Sequence, residues 1–223
     1  IFSSSAAIFG SPERIPIDEH HPARPINPYG RSKLMVEEIL QDAAAAGDLQ
    51  FVALRYFNAA GASRDGRMGE DHRCETHLIP LVLKAALKGA QNGPALKVFG
   101  TDYPTPDGTC VRDYIHVSDL ARAHLLALDH LSAGGASAAF NLGNGKGFSV
   151  MEVVATAEKV TGRRVAFETA ARRDGDPPVL VAAADRISRE LGWQPAFPTL
   201  EVIIETAWKW HAPRPGGYSA AAT

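Results

Sequence analysis

The sequence predicts an α/β fold, the C-terminal part of a Rossmann-like parallel sheet with a smaller α/β ligand-binding region appended. Three observations carry this. Helical and strand patterns alternate along the chain. A strand, a helix and a second strand succeed one another within residues 1–56, the order of a βαβ crossover. The length, 223 residues, suits one large domain or two small ones sharing a core.

Taken in order, Ile1-Phe2-Ser3-Ser4-Ser5 reads as the end of a strand opening into a polar loop, and a chain that starts inside a strand is expected to be a fragment. Residues 28–46 read as a helix. Pro28 suits its first turn, Leu34, Ile39 and Leu40 supply apolar positions, and Gly47 stops it. Residues 51–56 form a buried strand, 61–73 a glycine-rich loop, 77–87 a helix, 96–99 a short strand and 103–109 a turn. Ser118 is expected to cap a helix reaching 131, followed by a strand over 139–142. Ser149-Val150-Met151-Glu152 is a capping box before a helix to 160, with Gly162 just beyond. Residues 185–191 and 199–211 are the last helices, and the tail from Pro213 is expected to fray.

Composition narrows the function. Lys+Arg is 23 and Asp+Glu 25, a net charge of -2, so no basic footprint for nucleic acid exists. No apolar run nears the ~18 residues that span a bilayer. Cys74 and Cys110 make no disulfide framework, and free thiols suit a reducing, cytoplasmic setting.

The sharpest chemical signal is Tyr29-Gly30-Arg31-Ser32-Lys33. Tyr and Lys four apart on a helix share a face. A free tyrosine, with a pKa of ~10, is a poor base at neutral pH; a neighbouring ammonium favours the phenolate. Such a tyrosine takes a proton from a hydroxyl while hydride leaves its carbon. The pair alone is weak evidence, because solvated helix faces carry it often. With the strand-end serines Ser3-Ser4-Ser5 upstream, it forms the catalytic constellation of short-chain dehydrogenases.

Further stretches resemble the UDP-glucose 4-epimerases among the extended short-chain dehydrogenase/reductases. They include Arg55-Tyr56-Phe57-Asn58, Gly69-Glu70-Asp71, His77-Leu78-Ile79-Pro80 and Phe99-Gly100-Thr101-Asp102-Tyr103. The most specific is Asp107-Gly108-Thr109-Cys110-Val111-Arg112-Asp113-Tyr114-Ile115-His116-Val117. Asn141-Leu142-Gly143 and Arg172-Arg173-Asp174-Gly175-Asp176 complete a series that runs in order to about Trp210.

The resemblance implies reversible C4 epimerisation of UDP-glucose and UDP-galactose, in galactose metabolism, through a transient 4-keto sugar and bound NAD. It makes Tyr29 the base, Lys33 the residue that tunes it and holds the nicotinamide ribose, and Ser5 the hydroxyl bonding the sugar near the reacting carbon. Phe57, with Tyr56 beside it, contacts the nicotinamide end. Asn58 binds the sugar nucleotide, as do His77 and the Leu78 backbone at a helix start, where anions are favoured. Arg112 and Arg173 match the pyrophosphate arginines, Asp176 the uridine ribose carboxylate, and Val98 and Phe99 the strand along which uracil lies. Residues 1–60 would be the remnant of the NAD-binding domain and 61–223 the UDP-sugar domain, with about 112–145 packing back onto the first. A homodimer paired through helices is implied too.

Three departures from the family pattern bear on function. His77 stands where some members have Asn. Leu180 falls where some carry a bulky Tyr guarding the sugar pocket, and the smaller side chain is expected to admit N-acetyl sugars; a related epimerase of N-acetylhexosamines or pentoses is thus an alternative. A Gly-x-x-Gly-x-x-Gly fingerprint is missing from the sequence, so the chain taken by itself is expected to bind NAD poorly and to be an inactive fragment. Sister dehydratases and decarboxylases place carboxylates after the serine, where this chain has Ala6 and Ala7, which transfer no protons.

Other polar groups are read as structural. His72-x-Cys74-x-x-His77 matches no zinc spacing, so no metal is expected. Asp113, His116 and Asp119 fit a capped strand-to-helix connection. His20 and His21 are expected to be solvated, and Trp208 and Trp210 to pack.

Overall fold

The computed structural model describes residues 1–93 and 96–218. β1 (Phe2–Ser5) passes through a 3-10 turn (Ala6–Phe9) and a long loop into α1 (Pro28–Ala45). α1 starts there because Asn27 Oδ1 accepts the Gly30 N–H at 2.8 Å and Pro28 occupies the first turn. β2 (Val52–Tyr56) returns parallel to β1, pairing Ser5 with Tyr56. β3 (Asn58–Ala60), α2 (Leu78–Lys88), β4 (Leu96–Phe99) and β5 (Val111–His116) follow. Then come α3 (Val117–Ser132), β6 (Ala138–Leu142), β7 (Gly147–Ser149) and α4 (Val150–Thr161). β8 (Phe167–Ala170), β9 (Val179–Leu180), α5 (Asp185–Leu191) and α6 (Leu200–His211) close the described chain.

β2 is the centre of a parallel sheet ordered β1-β2-β6. Its alternation explains the layers. Val52 and Leu54 point into a core with Phe140, Leu142, Ala123 of α3 and Ile187 of α5. Arg55, on the other face, meets Glu37 of α1. Helices therefore cover both faces, and β2 reads as an apolar run for that reason. A second core joins α2, α4 and α6 to β4 through Val82, Leu83, Val153, Val98 and Ile203. Between the two lies β5, parallel to β3 and β9 and antiparallel to β7. β4 pairs in parallel with β8 as a separate ribbon. Ile8, Phe9 and Ile17 anchor the loop before α1 against Leu34, Phe57 and Leu180.

The α/β class and the main helices match the sequence expectation, including the capping box of α4 and its left-handed stop at Gly162. Asp113 and His116 lie on β5, and Asp119 in the first turn of α3, as the capped connection requires. Trp210 is buried and Trp208 packs on the same core. Four details differ. His116, not Ser118, caps α3: its Nδ1 accepts the Ser118 N–H at 3.0 Å. His21 is buried rather than solvated, because its Nε2 accepts the Glu13 N–H at 2.8 Å and its ring stands edge-on to Phe9. The tail is tied as far as Tyr218, whose N–H reaches Asp71 Oδ2 at 2.9 Å and whose ring lies on Trp210; the frayed end expected at 219–223 lies outside the described residues. β3, β7, β8 and β9, of two to four residues, are too short to show a period in the sequence.

Candidate active site

The site grows from the β1 end and the start of α1. Gly30 is the residue that lets them meet. A Cβ there would run into the Ala7 carbonyl, so α1 rests backbone to backbone on the 3-10 turn. That contact fixes the start of α1 against the turn after β1, and Tyr29 and Ser5 both line one cavity of about 800 Å³. Ser5 Oγ accepts the Ala7 N–H at 3.2 Å, which leaves its own hydrogen free to donate outward. Tyr29 is 54% exposed. Lys33 is not among the cavity's lining residues. Its Nζ donates to Ser3 O at 2.9 Å and lies 5.6 Å from the Tyr29 ring centroid, one turn along the same face. Beneath them, the Glu37 carboxylate binds Arg55 and the Ser4 hydroxyl, which fixes α1 to β1 and β2.

Tyr56, Phe57 and Asn58 continue the cavity wall across the top of β2 into β3. Asn58 Nδ2 donates to Asp113 O at 2.9 Å, so its amide is held in one orientation. A smaller cavity of about 230 Å³ shares Ser5, Phe57 and Asn58, and adds Leu180, Arg112 and Asp176. A third, of about 470 Å³, shares Asn58, Arg112 and Asp176, and adds Leu78, Val98, Phe99 and Arg173. Asn58 is common to all three, so they form one tract from Tyr29 to β4. Every residue the sequence singled out, apart from Lys33, lines it.

The far end of the tract is built for an anion and a flat ring. His77 occupies the N-cap of α2, yet no side chain caps that helix. The His77 ring is turned instead to Glu70 and Glu75. The free N–H groups of the first turn then carry the positive end of the helix dipole into the cavity. The Arg173 guanidinium stacks on the Phe99 ring at 4.0 Å from its centroid. Val98 turns its side chain into the core, so it offers the site backbone only; among the described residues β4 pairs only with β8. Arg112 and Asp176 are bonded to each other, and Arg112 Nη1 donates to Val111 O at 2.8 Å.

Behind Asn58 lies a buried brace. Asp113 Oδ1 accepts the Asn144 N–H at 2.8 Å, and Oδ2 accepts those of Gly145 and Ala182, both at 3.1 Å. Gly143 leaves room for this carboxylate, which an added Cβ would strike. Burial pushes the Asp113 carboxyl up to about 6 against the opposing pull of those N–H groups. Burial likewise holds the His116 imidazole below its usual value and the Cys110 thiol above it. Sequence reasoning missed Gly30 and Glu37 as supports of the site. The i+4 repeat Tyr29, Lys33, Glu37 was the available signal.

A helix bearing Tyr29 and Lys33 beside parallel strands, at one end of a tract that ends on arginines and a bare helix N-terminus, places the chain in the α/β class. The chain belongs to the NAD dependent epimerase/dehydratase family, whose profile matches residues 1–143. A UDP-glucose 4-epimerase of Halalkalibacterium halodurans is 52% identical over 219 residues, covering 98% of this chain and 65% of that protein. The crystal structure of UDP-glucose 4-epimerase from Brucella ovis in complex with NAD superposes with a TM-score of 0.88 at 51% identity, covering 93% of this chain and 63% of that one. The Bifidobacterium longum enzyme, in complex with NAD+ and UDP, gives 0.89 at 40% identity, covering 97% and 64%. The chain thus spans about 65% of the length of the curated relatives it matches. Among the described residues, no helix is long and apolar enough to cross a membrane.

Proposed function

We propose that this chain carries the catalytic and UDP-sugar half of a UDP-glucose 4-epimerase, interconverting UDP-glucose and UDP-galactose with NAD. One observation carries the reading: Asn58 joins three cavities into a single tract with Tyr29 at one end and Arg112, Arg173 and the α2 N-terminus at the other. A nucleoside diphosphate sugar needs both a hydroxyl-reactive end and a diphosphate end, in one continuous groove.

The residues fit the nicotinamide end of a dinucleotide: aromatic walls from Tyr56 and Phe57, with hydroxyls of Ser5 and Tyr29 facing the same space. Bound NAD would supply the hydride acceptor and donor at the sugar C4. Tyr29 takes the proton of the C4 hydroxyl, and Ser5 donates to the same oxygen as the 4-keto sugar forms. The Lys33 ammonium stabilises the Tyr29 phenolate, which forms again when Tyr29 returns the proton to the sugar oxygen. Asn58 holds the sugar nucleotide. Leu78, beside His77, and the arginines Arg112 and Arg173 hold the diphosphate; a guanidinium fork suits its oxygens. Asp176 takes the ribose hydroxyls on releasing Arg112 to phosphate, and the uracil lies along Val98 and Phe99 against the open backbone of β4. Because the UDP end stays anchored, the sugar ring can turn over in the tract without leaving, and bound NAD would then meet its other face.

In this reading residues 1–60 serve the cofactor side and 61–223 the UDP-sugar side, with 112–145 returning to the sheet through β6. Met35, Val36 and Ile39 on α1 and Leu125 and Leu128 on α3 are exposed apolar residues, which supports a homodimer paired through these helices; the free thiols of Cys74 and Cys110 fit a cytoplasmic setting. Leu180, lining the sugar-side cavity, favours a second substrate class, the N-acetylhexosamines. The direct test is conversion of UDP-galactose to UDP-glucose without net NADH. Light scattering of the purified protein tests the dimer.

A further inference from the structure

One cluster of side chains borders the cavity containing Tyr29 and includes His77, expected from the sequence to bind the sugar nucleotide. Glu70, His72, Glu75 and His77 each present one ligand-type atom, and the four atoms lie within 4.8 Å of one another. The spacing of His72, Cys74 and His77 alone gives no metal pattern; the fold leaves Cys74 exposed and gathers two glutamates with the histidines instead.

The two histidines converge on the two carboxylates, and Glu75 Oε1 also accepts the Thr76 and His77 N–H groups, both at 2.8 Å. His77 Nδ1 is 2.7 Å from Glu70 Oε1 and 2.9 Å from Glu75 Oε1. His72 Nε2 is 3.1 Å from the same Glu70 oxygen. An imidazole nitrogen carries at most one hydrogen, so it serves one of two carboxylates well. His72 can then serve Glu70 and His77 serve Glu75, which uses one nitrogen of each ring on the cluster. Glu75 adds an independent sign. Its side chain is only 4% exposed, and its Oε2 is buried with no hydrogen-bond partner. A buried anionic oxygen without a donor is costly. A cation held by the four groups would supply the counter-charge that this buried carboxylate lacks.

We propose that this loop is a divalent transition-metal site with Glu70, His72, Glu75 and His77 as ligands. Two imidazole nitrogens and two carboxylate oxygens suit Zn²⁺ or a similar late first-row ion, whereas Mg²⁺ and Ca²⁺ prefer oxygen alone. All four ligands come from one short segment, anchored at one end by the Trp210 Nε1 bond to Glu70 O at 3.2 Å and at the other by α2. The ion locks the loop that forms one wall of the cavity containing Tyr29, and it leaves His77 unable to turn and cap α2.

The test is direct metal binding, read independently of any epimerase activity. Metal-stripped protein is titrated with Zn²⁺ against a chromophoric chelator, and with Co²⁺ for ligand-field absorption. About one ion per chain is expected. His72→Ala, at a half-exposed side chain, and Glu75→Gln, which preserves shape, should each weaken it by at least about tenfold, the scale that outer-shell changes alone produce. No binding in competition with the chelator overturns the proposal. So does binding that both variants retain at the wild-type level, because the ion then sits elsewhere.

Discussion

Glu37 and Arg55 form a buried bidentate ion pair beneath the helix that carries Tyr29 and Lys33. Arg55 Nη2 lies 2.5 Å from Glu37 Oε2, and Nε lies 3.0 Å from Oε1. The Ser4 hydroxyl donates to Glu37 Oε1 at 2.5 Å, and Arg55 Nη1 donates to Glu19 O at 3.3 Å. Glu37 is 0% and Arg55 8% exposed. Removing one partner strands a buried charge, at about 3–5 kcal/mol. Glu37→Ala should lose that much stability in urea unfolding, and Glu37→Gln, which keeps part of the hydrogen bonding, should lose less. A loss in Glu37→Ala below about 1 kcal/mol contradicts the bracing role.

Gly30 tests the same placement from the other side. Gly30→Ala forces α1 away from the Ala7 carbonyl and shifts Tyr29 relative to Ser5. Displacement of about 1 Å in such a pair reduces turnover by about 100-fold. Overpacking itself costs about 1–3 kcal/mol. The expected signature is a kcat loss well beyond the stability loss. Unchanged kcat would mean that the contact does not set the Tyr29 position.

Asp113 gives a pH dependence opposite in sign to that of an ordinary ion-paired carboxylate. Its folded value, about 6, exceeds the usual carboxylate value. The folded state therefore keeps a proton that the unfolded chain releases between about pH 4 and 6. This stabilising contribution is whole below about pH 4 and is lost as pH rises through about 6. It is on the order of 3 kcal/mol. Wild type should gain stability relative to Asp113→Asn between about pH 7.5 and 4.5. A constant difference, or one moving the other way, contradicts the assignment.

How much of this was legible beforehand depends on the length scale of each signal. Tyr29 and Lys33 were readable because their spacing is one helical turn, and α1 because Pro28 and Gly47 bracket it. Glu37 was not, since a lone carboxylate on a helix looks solvated until β2 brings Arg55 beneath it. The same holds for Glu70 and Glu75, which lie in an aperiodic loop whose path is set by Trp210 and α2. His21 failed for a related reason: the loop before α1 folds back on Phe9, and nothing local announces that. Arg112 and Asp176 are 64 positions apart, and only the β5–β9 pairing brings them together.

Leu180 bears on substrate range. It lines the cavity of about 230 Å³ with Ser5, Ala7 and Asn27. The proposed activity should extend to UDP-N-acetylglucosamine as well as UDP-glucose. Leu180→Tyr should depress the rate on the N-acetyl sugar at least about tenfold more than that on the plain one, the scale of a steric mismatch of 1–3 kcal/mol. Equal effects on both sugars would remove Leu180 as a gate.

The central claim is that Tyr29 is the group that moves the C4 hydroxyl proton. Tyr29→Phe deletes one oxygen and leaves the helix, Lys33 and the cavity wall in place. UDP-galactose to UDP-glucose conversion by this variant should fall at least about 100-fold in kcat, the usual scale of a lost acid–base group, with KM changed little. A variant that keeps wild-type kcat would contradict the account.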